Sequence, residues 1–163
     1  MSVASTIPPR PLGLVTRVCH KADDKTIIAQ RFCTGGEMIE RVETGIAPSS
    51  APINDAVKAD KHLWLVAIAE DPVSGEIVGG GIEAQARRCI ENLEIACKAA
   101  GGSLRNLVMV QIFLVDRADA AGMNAVYREF FTEQPFPVRA TVVVKELLAE
   151  GLLIEMTATA VLD

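Results

Sequence analysis

The chain has 163 residues, half of them apolar, which fits one domain with a sizeable buried core. Its formal net charge is -5, with acids and bases interspersed, and this argues against general nucleic-acid binding, which needs a basic face. No run approaches the ~18 apolar residues of a membrane span. "MSVASTIPPRPLGLV" carries prolines where a secretory signal has its apolar stretch, so the expected location is cytoplasmic.

Residues 1–37 form an N-terminal extension with weaker apolar period than residues 38–163, the expected core domain. In "TIIAQRFCTGGEMIERVE" the strand candidates are Thr26–Cys33 and Met38–Glu43, with "TGG" as the turn. Gly45–Asp60 reads as a loop by composition. "LWLVAIA" (Leu63–Ala69) is a continuous apolar strand, followed by a turn at Asp71–Val78. The period then changes. Ile82, Ala86, Cys89, Ile90, Leu93, Ala96, Cys97 and Ala100 recur at helical spacing, and Gly101 and Gly102 stop that helix. The three glycines of "VGGGIE" before it can hold an anion but lack the rest of a phosphate motif, so they read as a turn. Asn106–Asp116 is a strand and Asp119–Gln134 a second helix, with Met123, Val126, Tyr127 and Phe130 inward. Arg139–Leu147 and Leu152–Val161 are closing strands, with "LAEG" as a hairpin turn between them.

The order is an extension followed by β-β-α-β-α-β-β, an α+β fold whose mixed sheet carries two helices on one face. "LWLVAIA", "LVMVQIFLV" and "TVVV" are apolar at nearly every position, as in strands buried on both faces. Two helices cover one face only. The other is expected to be covered by further copies of the chain; the alternative is that residues 1–37 cover it.

Few polar groups interrupt the apolar pattern. Arg139 opens its strand and shares a side with Thr141 and Val143, while Glu155 is a lone carboxylate inside the last strand. Asn124 lies in the second helix. A bland reading makes Arg139 a surface residue, Glu155 its salt-bridge partner or an edge-strand charge, and Asn124 a solvated helix residue. The functional reading has the guanidinium grip a carboxylate while the glutamate positions or deprotonates a water. Cys89 and Cys97 share a helix face and read as small hydrophobes. Cys19, His20 and Cys33 lack metal-site spacing.

"AQARRCIENLEIACKAAGGSLRNLVMVQIFLVD", "MNAVYREFF", "FPVRATV" and "IEMTATAV" together resemble the reactive-intermediate deaminase family, the Rid or YjgF-like proteins, whose older label is endoribonuclease L-PSP. The resemblance spans roughly Met38 to Val161. It implies a chorismate-mutase-like fold and a homotrimer with clefts between subunits. It also implies hydrolysis of reactive enamines and imines to oxo acids and ammonia without cofactor or metal. By resemblance, Arg139 holds the substrate carboxylate, Glu155 orients the attacking water, Asn124 matches the family's helix asparagine, and the backbone at Ala140 and Thr141 completes the pocket.

The chain also departs from the family pattern. Where the family has Gly-Pro-Tyr-Ser-Gln, with the tyrosine against substrate, this chain has "APIND", so Ile53 stands for the tyrosine and Asp55 for the glutamine. Thr141 replaces a cysteine and Thr157 a second acid. This altered wall points away from the common aminoacrylate-type substrate and toward a specialised deaminase, for instance one acting on an aminomuconate-like catabolic intermediate. The alternatives are a non-enzymatic carboxylate-binding or chaperone-like trimer and, against the acidic charge, a ribonuclease.

Overall fold

In the computed structural model, which describes residues 39–163, the strands are β1 (Ile39–Arg41), β2 (Ala56–Ala59), β3 (His62–Ile68), β4 (Leu107–Leu114), β5 (Val138–Val143) and β6 (Ile154–Val161). The helices are α1 (Gly81–Ala99), between β3 and β4, and α2 (Ala120–Phe130), between β4 and β5. Single 3-10 turns at Leu104–Asn106 and Arg117–Asp119 lead into β4 and α2. The strand candidate Thr26–Cys33, together with Cys19 and His20, lies outside the described residues.

The six strands form one mixed sheet in the order β1-β2-β3-β6-β4-β5. All neighbours are antiparallel except β4 and β5, which are parallel. Both helices pack on one face. There Leu63, Val110, Ile112, Ile154 and Met156 meet Ile90 and Leu93 of α1 and Met123 of α2. Each side chain so buried stabilises by about 1.5–3 kcal/mol. The α+β sheet with two helices on one face is the architecture expected from the sequence.

Two expectations are corrected. Ala56–Ala59, read as loop, is a strand. It is short, sits directly after a Pro- and Ser-rich stretch, and pairs with β3 through a two-residue turn at Asp60 and Lys61. Asp60 takes φ 53 there, a left-handed conformation that aspartate tolerates better than most residues. Nor do β5 and β6 form a hairpin, because β4 lies between them. Their connection crosses the end of β4, where Val144 N–H donates to Leu114 O (2.8 Å) and Val115 N–H to Leu153 O (3.2 Å). β5 accordingly ends at Val143, not Leu147.

The helix ends follow their sequence signals. Gly102 N–H donates to Cys97 O (2.8 Å) and Gly101 N–H to Lys98 O (3.0 Å), the paired bonds of a Schellman stop, with Gly101 at φ 86. On α1 the structure adds two polar residues to the core, Gln85 and Asn92. Asn92 Nδ2 donates to Ile68 O and Glu70 O (3.0 and 2.9 Å). Gln85 Nε2 donates to Val78 O (3.1 Å) and Gly151 O (2.8 Å), and Gln85 Oε1 accepts from Leu153 N–H (2.8 Å). Gln85 thus ties the β5–β6 connection to the start of α1. Cys89 and Cys97 are buried thiols, as the helix period implied, and burial pushes Cys97 up to about 11.

The sheet face away from the helices carries Trp64 and Val66 of β3, Met109 and Phe113 of β4, and Val138 and Val142 of β5. Pairing sets their side: Gln111 on this face pairs with Thr157, whereas Val110 and Ile112 on the core face pair with Ala158 and Met156. Trp64 is 45% exposed and Val138 69%. Among the described residues no helix is long and apolar enough to cross a membrane.

Candidate functional site

Arg139 pairs with Val110, Thr141 with Ile112 and Val143 with Leu114, so all three point to the helix side of the sheet. β5 is the edge strand, and α2 lies over its helix side. Between them is a cavity of about 370 Å³ whose lining includes Asn124 and Met123 from α2, Arg139 and Thr141 from β5, and Arg117 from the turn before α2. Amphipathic spacing turns Met123 and Tyr127 inward, with Asn124 at the margin of that face. The Arg139 guanidinium lies 4.6 Å from the centre of the Tyr127 ring, and Tyr127 stacks on Phe131 with centroids 4.2 Å apart. Burial raises the Tyr127 phenol, and the nearby Arg139 charge partly offsets that rise. Among the described residues no carboxylate lies within ion-pair distance of Arg139 or Arg117, whereas Arg87, Arg88 and Arg105 each have one.

Glu155 is placed differently. Its strand neighbours Ile154 and Met156 are buried under the helices, and Glu155 pairs with Ile68 and Phe113 on the opposite face. Within one chain Arg139 and Glu155 therefore lie on opposite sides of the sheet. The reading of Glu155 as the salt-bridge partner of Arg139 is corrected on that ground, and its alternative as an edge-strand charge fails because β6 is central. Glu155 is half-buried, and the loss of water around it raises its carboxyl above the ordinary range. Glu70 is raised by burial and then by the Asp55 charge.

The remaining sequence candidates divide between the two sides. Asn124 and Thr141 join Arg139 at the cavity. Ala140 is on β5 but pairs with Gln111 and faces the open side. Ile53 is exposed in the loop before β2, at the other end of the strand order from β5. Asp55 of the same loop accepts from Thr44 Oγ1 (3.0 Å), and its carbonyl accepts from Val66 N–H (2.9 Å). Sequence reasoning missed Arg117 and the contact of Tyr127 with Arg139. Tyr127 was readable as an inward residue one helical turn past Asn124. Arg117, a charge in a turn, gave no signal.

A second cavity, about 240 Å³, lies beyond the C-terminal end of α2 among Leu104, Phe130, Phe131 and Pro135, with the Arg105–Glu133 ion pair at its wall.

This fold recurs in solved structures. The chain superposes on the YjgF gene product of Escherichia coli with a TM-score of 0.68 at 32% identity, covering 75% of this chain and 98% of that one. E. coli TdcF with bound serine gives 0.70 at 30% identity, covering 76% and 99%. Residues 44–162 match the endoribonuclease L-PSP family model. The chain belongs to the Rid family. A RutC family protein of Pyrococcus horikoshii is 40% identical over 125 residues, which cover 76% of this chain and 98% of the relative. A human relative, named 2-iminobutanoate/2-iminopropanoate deaminase, is 34% identical over 127 residues, covering 76% and 91%.

Proposed function

We propose that this Rid protein is an imine deaminase, hydrolysing a small carboxylate-bearing imine or enamine to an oxo acid and ammonia. The observation that carries the reading is the Arg139 guanidinium, free of any carboxylate among the described residues and stacked on Tyr127 beside Asn124 in an open cavity. A guanidinium so held accepts a carboxylate bidentately. The names of the mammalian relatives and the serine bound in TdcF support a carboxylated nitrogen compound as ligand.

The chemistry needs a water and a base. Glu155 has its carboxylate destabilised by burial, which makes it the stronger base. It takes a proton from water as the oxygen adds to the imine carbon, and the C=N electron pair moves to nitrogen. Glu155 hands the water's proton to that nitrogen, giving a carbinolamine, and then relays the hydroxyl proton to the amine as the C=O bond forms and the C–N bond breaks, releasing ammonia and leaving the oxo acid. The imine carbon is already electrophilic, so holding water and substrate together supplies much of the acceleration.

Because Arg139 and Glu155 are on opposite faces of one sheet, the working site is composite. Arg139 comes from one copy and Glu155 from the open face of the next, in a homotrimer with a cleft at each junction. Support comes from the exposed Trp64, Met109, Val138 and Val142 on that face, an apolar surface that another copy buries. The test is ammonia release from imines generated in situ by an amino-acid oxidase. Arg139→Ala is expected to lower kcat/KM about ten- to a hundredfold, the range of a lost charge-assisted hydrogen-bond pair. An Arg139→Ala enzyme matching wild type refutes the assignment.

A further inference from the structure

We infer that the site is built for a substrate with two anionic groups, and that Arg117 is the residue that selects the second. The inference rests on the deaminase reading and deepens it. The cavity between α2 and β5 is lined by two arginines and by no acid. Arg139 stands at one end, level with Val110. Val143 stands at the other, level with Leu114, and Arg117 follows Leu114 by three residues. Arg139 and Val143 are four residue steps apart along the strand, a backbone span of roughly 13 Å. Arg139 and Arg117 therefore line the cavity from positions toward its two ends.

Arg117 has no carboxylate within ion-pair distance among the described residues, although Asp116 and Asp119 flank it in sequence. Asp116 is instead turned back to accept from Ala118 N–H (2.9 Å), and neither acid lines the cavity. Ala120 of the first turn of α2 lines the cavity beside Arg117, adding the positive end of that helix. Met123 of α2 supplies an apolar middle. Two cationic ends around an apolar middle match an extended dicarboxylate better than a short monocarboxylate, whose far end would leave Arg117 unanswered. The imine of a dicarboxylic amino acid, with its reacting end at Arg139 and its distal carboxylate at Arg117, is the substrate class.

The experiment compares imines made in situ by flavin oxidases from D-glutamate and from D-aminobutyrate. Wild type is expected to favour the glutamate-derived imine in kcat/KM by about tenfold or more, the contribution of one charge-assisted contact. Arg117→Ala lowers that preference about tenfold, through KM, since the contact holds ground and transition states alike. Arg128→Ala, a cation on the exposed side of α2, keeps the wild-type preference. An unchanged preference in Arg117→Ala overturns the inference, as does loss of subunit assembly in that variant with the preference intact. Should wild type turn over neither imine, the deaminase reading fails, and calorimetry with glutarate and butyrate decides the inference alone. Glutarate binding about tenfold tighter than butyrate, with the difference lost in Arg117→Ala, supports it; equal affinities overturn it.

Discussion

Gln85→Met tests how the β6 end of the site is held in place. Gln85 is 2% exposed, and its amide serves three backbone groups: Val78 O, Gly151 O and Leu153 N–H. Methionine keeps the length and flexibility of the side chain and can bond none of them. Each group left unpaired in the interior costs about 1–3 kcal/mol. Three such groups give about 3–6 kcal/mol, allowing for partial relaxation. That is a large share of the ~5–15 kcal/mol that holds a typical domain together. With a urea m-value of about 2 kcal/mol/M, the midpoint should fall by about 2 M at unchanged m. The assay is urea unfolding at one fixed protomer concentration, because assembly adds to apparent stability. Glu155 follows Leu153 by two residues, so ammonia release from an imine should also fall in conditions where Gln85→Met remains folded. A midpoint within about 0.3 M of wild type refutes the reasoning, since it means these three groups find other partners.

Three further outcomes are expected. Tyr127→Leu removes the ring under Arg139, a contact of about 0.5–2 kcal/mol, so kcat/KM for imine hydrolysis falls roughly twofold to thirtyfold; Tyr127→Phe restores it, and equal losses in both variants refute a ring-based role. Glu155 has a raised carboxyl, so its ionised form is the one the fold disfavours. That penalty is absent where the group is protonated in both states, below about pH 4, and grows as pH rises through the raised value. Glu155→Gln should thus unfold at higher urea than wild type near pH 7, lose that advantage at about pH 4, and release little ammonia; a lower midpoint at neutral pH contradicts the burial argument. Finally, peptide mapping after iodoacetamide treatment at pH 8 should find Cys89 and Cys97 unmodified in native protein and modified in urea, because both thiols are buried and both are raised by that burial.

The helices and the central strands were legible because their signals are local. The 3.6-residue recurrence from Ile82 to Ala100 marks α1, and the glycine pair after it appears as the Schellman stop. Arg139 and Glu155 stood out because each is a charge in an apolar strand. What escaped the sequence was pairing. Four residues of "AVKA" carry too little pattern to announce β2, whose strand character comes from its bonds to β3. Two strands close in sequence suggest a hairpin, yet β4 separates β5 from β6. Strand order also sets the relation between the two charges. Alternation gives each strand two sides, and only the register through β4 reveals that Arg139 and Glu155 take opposite ones. Arg117 was invisible for a related reason: its place at the cavity depends on which residues the fold brings opposite it.

The composite site is the central claim, and subunit mixing tests it most directly. Arg139→Ala and Glu155→Gln proteins, each expected to keep at most about a tenth of wild-type activity alone, are unfolded together in equal amounts and refolded. If the two residues serve one site from neighbouring copies, about a quarter of the junctions in a randomly mixed closed ring join an intact arginine to an intact glutamate. Ammonia release should then recover to about a quarter of the wild-type specific activity. If each chain supplied both residues to its own site, no junction would be intact, and a mixture as inactive as its components would contradict the account.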